Sequence, residues 1–106
     1  MKPIQLFNLL LKDFCKGKYE LITEFRFAKP RRWRSDFYIK ELNALIEMEG
    51  INSVKSRHTS ITGYTNDCEK YRSASIAGFI ILRYTVLDYT KVIDDLKKIE
   101  DANKAM

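Results

Sequence analysis

Four apolar residues in succession, Phe79-Ile80-Ile81-Leu82, follow directly on Gly78. A strand without polar alternation offers no face to water, so this run predicts a central strand covered on both faces. Cover on both sides calls for an α/β arrangement, with helices flanking a sheet. At 106 residues the chain has the length of one domain, so a single core spanning residues 1–106 must carry both recognition and chemistry.

The remaining elements fit that architecture. Ile4, Phe7, Leu11 and Phe14 recur at helical spacing, which predicts an amphipathic helix over residues 3–16, ended by Gly17. Residues 21–27, 33–39 and 43–49 read as three strands of a meander. Residues 50–64 are polar and aperiodic, and a loop of that length in a compact domain is usually functional or mobile. Asn66 with Glu69 has the form of a capping box, so a second helix is predicted over residues 67–77, its Ala74 and Ala77 packing closely on the sheet. A last helix over residues 87–101 buries Tyr89, Val92, Ile93, Leu96 and Ile99. The expected order is α-β-β-β-α-β-α around a central mixed sheet.

Charge is distributed unevenly. Residues 1–40 hold ten Lys/Arg against four Asp/Glu, whereas the rest of the chain is nearly balanced. The excess centres on Lys29-Pro30-Arg31-Arg32-Trp33-Arg34, a patch suited either to a polyanion or to a plain solvated surface. Cys15 and Cys68 lie far apart with no zinc-like spacing, and read as small helix residues of a reducing compartment. The apolar start is interrupted by Gln5, Asn8, Lys12 and Asp13, and no stretch approaches a membrane span. The expectation is a cytoplasmic protein with no membrane partner.

Strand arithmetic is the most informative step toward function. If the second and third strands pair as an antiparallel hairpin with Ile39 opposite Ala44, then Asp36 falls opposite Glu47, and Arg34 opposite Glu49. Alternation places Asp36, Glu47 and Glu49 on one face. Like charges directly opposed are destabilising. A hard divalent cation resolves that conflict, because Mg²⁺ is commonly held by one or two carboxylates and takes substrate phosphate oxygens as further ligands. Protonation of one acid, or neutralisation by Arg34 and Lys70, resolves it equally.

The blocks Trp33-Arg34-Ser35-Asp36-Phe37, Glu47-Met48-Glu49-Gly50, Arg57-His58-Thr59, Asp67-Cys68-Glu69-Lys70-Tyr71, and Gly78 with Leu82-Arg83-Tyr84 occur in an order that resembles the PD-(D/E)XK nucleases. More narrowly, they are similar to small phage and prophage endonucleases distantly related to very-short-patch repair nickases. The resemblance covers about residues 24–86. It implies a metal, Mg²⁺ or Mn²⁺, held by Asp36 and Glu47 with the Met48 carbonyl. Glu49 stands where the family name has lysine, and related branches carry that lysine on the following helix, where this chain has Lys70. His58, the single histidine, is suited to proton transfer near neutral pH. Glu24 is either a further metal-site acid or an exposed strand residue, and Arg83 either a phosphate contact or an ion-pair partner. The nucleic-acid contacts implied are Arg31, Arg32, Trp33, Arg34 and Arg57.

The expected function is therefore metal-dependent hydrolysis of DNA. A binding module that keeps the fold without cleaving is the alternative, and a structural protein with incidental basic charge a third. Cutting both strands usually needs two sites, which a homodimer would provide.

Overall fold

The computed structural model describes residues 1–49 and 60–105. Helix α1 (Pro3–Cys15) leads through Gly17, at φ 78°, into strand β1 (Leu21–Arg26). Strand β2 (Arg34–Ile39) and β3 (Ala44–Met48) follow, joined by a 3₁₀ turn over Lys40–Leu42. Helix α2 (Ile61–Ile76), strand β4 (Ile80–Tyr84), a second 3₁₀ turn (Tyr89–Lys91) and helix α3 (Val92–Lys104) complete the described elements.

The four strands form one mixed sheet in the order β1-β2-β3-β4. β2 and β3 pair antiparallel as Phe37↔Ile46, Tyr38↔Leu45 and Ile39↔Ala44, the register set by Ile39 opposite Ala44. β3 and β4 run parallel, from Ala44↔Ile80 to Met48↔Tyr84. The hairpin turns on Asn43, at φ 53° in the left-handed region that asparagine tolerates better than most residues. Its side chain accepts from the Tyr38 hydroxyl (2.9 Å) and donates to the Gly78 carbonyl (2.8 Å), tying the hairpin to the start of β4.

Alternation along β2 and β3 sorts the two faces. Phe37, Ile39, Ala44 and Ile46 join Phe7, Leu11 and Cys15 of α1 and Val92 and Leu96 of α3 in the main core. Leu45 and Glu47 point to the opposite face, where Lys70 and Ala74 are the buried residues of α2. A smaller aromatic cluster fills the same face beside α2: Phe25 stacks on Tyr38 at 4.1 Å, and Phe79 meets Phe25, Phe27 and Tyr38 edge-on.

Several expectations are corrected. Among the described residues β4 is an edge strand paired only with β3, and Ile80 is 38% exposed. None of Phe79 to Leu82 is fully buried: Leu82 packs against the main core and Phe79 against the aromatic cluster. α2 begins six residues earlier than predicted, because Ser60 is its N-cap and accepts from the Gly63 N–H at 3.0 Å. Ala77 lies just past the end of α2 and is exposed, so only Ala74 packs. Ile4 is 47% exposed, and the buried stripe of α1 is Phe7, Leu11 and Cys15.

Candidate functional site

The β2–β3 ladder stops at Phe37↔Ile46. One position further, Asp36 turns its carboxylate into the gap, where Oδ2 accepts from the Met48 N–H at 3.0 Å in place of a backbone carbonyl. The buried Ser35 hydroxyl bridges the strands at the same level, within 2.9 Å of the Phe37 carbonyl and 3.1 Å of the Ile46 carbonyl. The β1–β2 register is interrupted at the matching place: Thr23↔Phe37 and Phe25↔Ser35 pair, while Glu24 between them sits at φ 53°. Glu24, Asp36 and Glu47 thus stand at one level on three adjacent strands.

These acids line a cavity of about 290 Å³ together with Met48, Glu49, Asp67 and Lys70, and with Arg32, Trp33 and Arg34. Asp36 and Glu47 therefore share a face, as their opposed positions require. Glu47 is buried, and its Oε1 receives the Lys70 ammonium at 2.6 Å, itself buried. Among the described residues, Glu47 Oε2 is buried without a hydrogen-bond partner, a costly state for a carboxylate oxygen.

Burial pushes the Asp36 carboxyl above its ordinary value. The Met48 N–H works against the rise, the Glu47 charge adds to it, Lys70 offsets part, and Glu24 adds again. An acid whose folded pKa is raised takes up a proton more readily when folded. Its protonated form therefore adds stability below the unfolded value near 3.8, and that contribution is lost as pH rises through the raised folded pKa. Over that window, melting temperature measured in EDTA is expected to fall more for the wild type than for Asp36→Asn. Parallel curves for the two proteins would mean that Asp36 is not the group responsible.

Arg34 does not take the place opposite Glu49 that an extended register would give it. It lies beyond the last paired position and forms an ion pair with Glu24 at 3.0 Å. Glu49 is engaged by Arg83 at 2.9 Å and by the Tyr71 hydroxyl at 3.3 Å, and the Arg83 guanidinium lies 3.9 Å from the centre of the Tyr71 ring. Burial, then the neighbouring Glu47 and Glu49, raise the Tyr71 hydroxyl pKa, so it stays protonated. Sequence reasoning includes Tyr71 in the block that ends on it but gives it no role, since nothing in the sequence signals its contact with Glu49. Glu24 has a place in the cavity wall, and Arg83 is an ion-pair partner beside it. His58 and Arg57 lie outside the described residues.

Among the described residues, no three His, Cys, Asp or Glu side chains form a group able to hold a metal on their own. A Mg²⁺ site does not require three, since one or two carboxylates with waters suffice. Asp36 and Glu47, lining one cavity, are two carboxylates that fit such an ion. No described helix is long and apolar enough to cross a membrane. Comparison with protein-family models, with curated proteins and with solved structures finds no match for the chain.

Proposed function

We propose that this chain is a metal-dependent DNA endonuclease of the PD-(D/E)XK kind, with a restriction-endonuclease-like arrangement of its α-β-β-β-α-β-α elements. The observation that carries the reading is the meeting of Asp36 and Glu47 in the wall of one cavity, beside the buried Lys70. Asp36 and Glu47 would hold Mg²⁺ or Mn²⁺ with the Met48 carbonyl. When bound, the ion supplies positive charge to the scissile phosphate and makes a nearby water more acidic.

The protein's own groups do the rest. Lys70, fixed to Glu47 at 2.6 Å, is a cation within reach of a phosphate oxygen entering the cavity. Met48 N–H orients the Asp36 carboxylate. Arg83 and Tyr71 hold Glu49, so a carboxylate at the family's lysine position is neutralised by its neighbours. Arg32 and Arg34 line the cavity where flanking phosphates would lie. His58 and Arg57 belong to this reading by the sequence alone, as do a cytoplasmic location and a homodimer for double-strand cutting.

A non-catalytic DNA-binding module is favoured by one observation, the closed Glu47–Lys70 ion pair, which neutralises the cavity floor without a metal. Titration with Mg²⁺ and Mn²⁺ separates the two readings, since only the nuclease gains thermal stability and phosphodiesterase activity. Replacing Arg31 and Arg32 with neutral residues is expected to weaken DNA binding and to flatten its dependence on log salt by about 0.9 for each duplex phosphate no longer neutralised. An unchanged slope would place the binding surface elsewhere.

A further inference from the structure

We propose that the cavity takes DNA carrying an unpaired base beside the phosphate it binds, and that Trp33 is the platform on which that base stacks. The inference rests on reading the cavity as a phosphodiester site, and it names the substrate class: single strands, flaps and frayed or mismatched ends rather than continuous duplex.

Trp33 is the chain's single tryptophan. It is half-buried, yet it is absent from the hydrophobic core. Among the described residues its ring meets no other aromatic ring, whereas Phe25, Phe27, Tyr38 and Phe79 are absorbed in their own cluster. Instead it lines the cavity between Arg32 and Arg34, three residues from Asp36. The Arg31 guanidinium lies 4.1 Å from the ring centre and is itself tied to Glu69 of α2 at 3.1 Å. The ring is thus braced from two elements.

A planar cation can cover only one of the indole's two faces. The other suits a second planar group, and a nucleobase is the one that arrives attached to a phosphate. Arg32 and Arg34, on either side of Trp33, suit the phosphates flanking such a base. A continuous duplex cannot use this platform, because its bases are already stacked on one another. Unpaired nucleotides offer a bare π-face at little unstacking cost.

The single tryptophan makes the test direct. Wild-type protein in EDTA, where cleavage is suppressed, is titrated at fixed salt with a short mixed-sequence single strand, its blunt duplex, and the duplex carrying a flap, while tryptophan fluorescence is followed. The single strand and the flap are expected to quench Trp33 and to bind more tightly than the blunt duplex. Trp33→Ala is expected to weaken single-strand binding by about 5- to 150-fold, the range of one base–aromatic stack, and to weaken duplex binding less. Trp33→Phe should retain most of the affinity.

Equal quenching by blunt duplex, or single-strand affinity that survives Trp33→Ala, overturns the proposal. The first of these needs no variant, so it holds even if Trp33→Ala fails to fold. Metal-dependent cleavage by the wild type alongside either result sinks the stacking site and leaves the nuclease reading standing. Quenching by the single strand without any metal-dependent cleavage sinks the nuclease reading and leaves the stacking site.

Discussion

Asp36→Asn is expected to leave the metal-free protein as stable as the wild type or slightly more so, while abolishing metal-dependent cleavage of DNA. Two effects act in the same direction. Burial raises the Asp36 pKa, and the charges of Glu47 and Glu24, which stand at one level with it, raise it further. Asparagine removes the Asp36 charge and keeps an oxygen able to accept from the Met48 N–H. The gain is on the order of 0.2–1 kcal/mol, as for other cross-strand charge pairs. The stabilisation given by Mn²⁺ should disappear with the site, a loss of about 2.7 kcal/mol at a metal concentration one hundred times Kd. Melting curves of both proteins with and without Mn²⁺, together with plasmid nicking, measure this. A destabilised Asp36→Asn protein that still nicks would assign Asp36 a structural role.

Lys70→Met is expected to have the largest effect on folding. Lys70 and Glu47 are both buried, and Lys70 is the partner of Glu47 Oε1 at 2.6 Å, while Oε2 has none among the described residues. Removing the ammonium leaves a buried carboxylate without compensation, which typically costs about 3–5 kcal/mol. Changing both partners, Glu47→Leu with Lys70→Met, removes the stranded charge and should recover most of that loss, since buried ion pairs replaced by apolar residues are often neutral in stability. Urea unfolding of the two single variants and the double variant gives the comparison. A double variant no more stable than Lys70→Met would show that packing, and not charge, is what Lys70 contributes. None of the three variants is expected to cleave DNA.

What could be read in the sequence follows from which physical rules are local. The hairpin register was legible because Phe37, Ile39, Ala44 and Ile46 alternate with residues of the other face, and a slip of one position would have exposed them all. The meeting of Asp36 and Glu47 on one face followed from that register. The partner of Arg34 did not, because the ladder ends where the Asp36 side chain takes the Met48 N–H, an event that alternation cannot anticipate. Phe79 to Leu82 announced cover on two faces, but not whether strands lay on both sides, so the edge position of β4 was hidden. The start of α2 was misplaced because Asn66 with Glu69 mimics a cap, while the operative one is Ser60. The left-handed backbone of Glu24 has no signature in composition or spacing.

Whether Asp36, Glu47 and Lys70 form a phosphodiesterase site is decided by incubating wild type, Asp36→Asn, Glu47→Gln and Lys70→Met with single-stranded, flapped and duplex DNA, in Mn²⁺ and in EDTA. Cleavage is expected from the wild type in Mn²⁺ alone, with none by any protein in EDTA and none by the three variants. Cleavage that persists in EDTA or in Asp36→Asn, or a wild type that binds these DNAs and cuts none of them in Mn²⁺, would contradict the assignment.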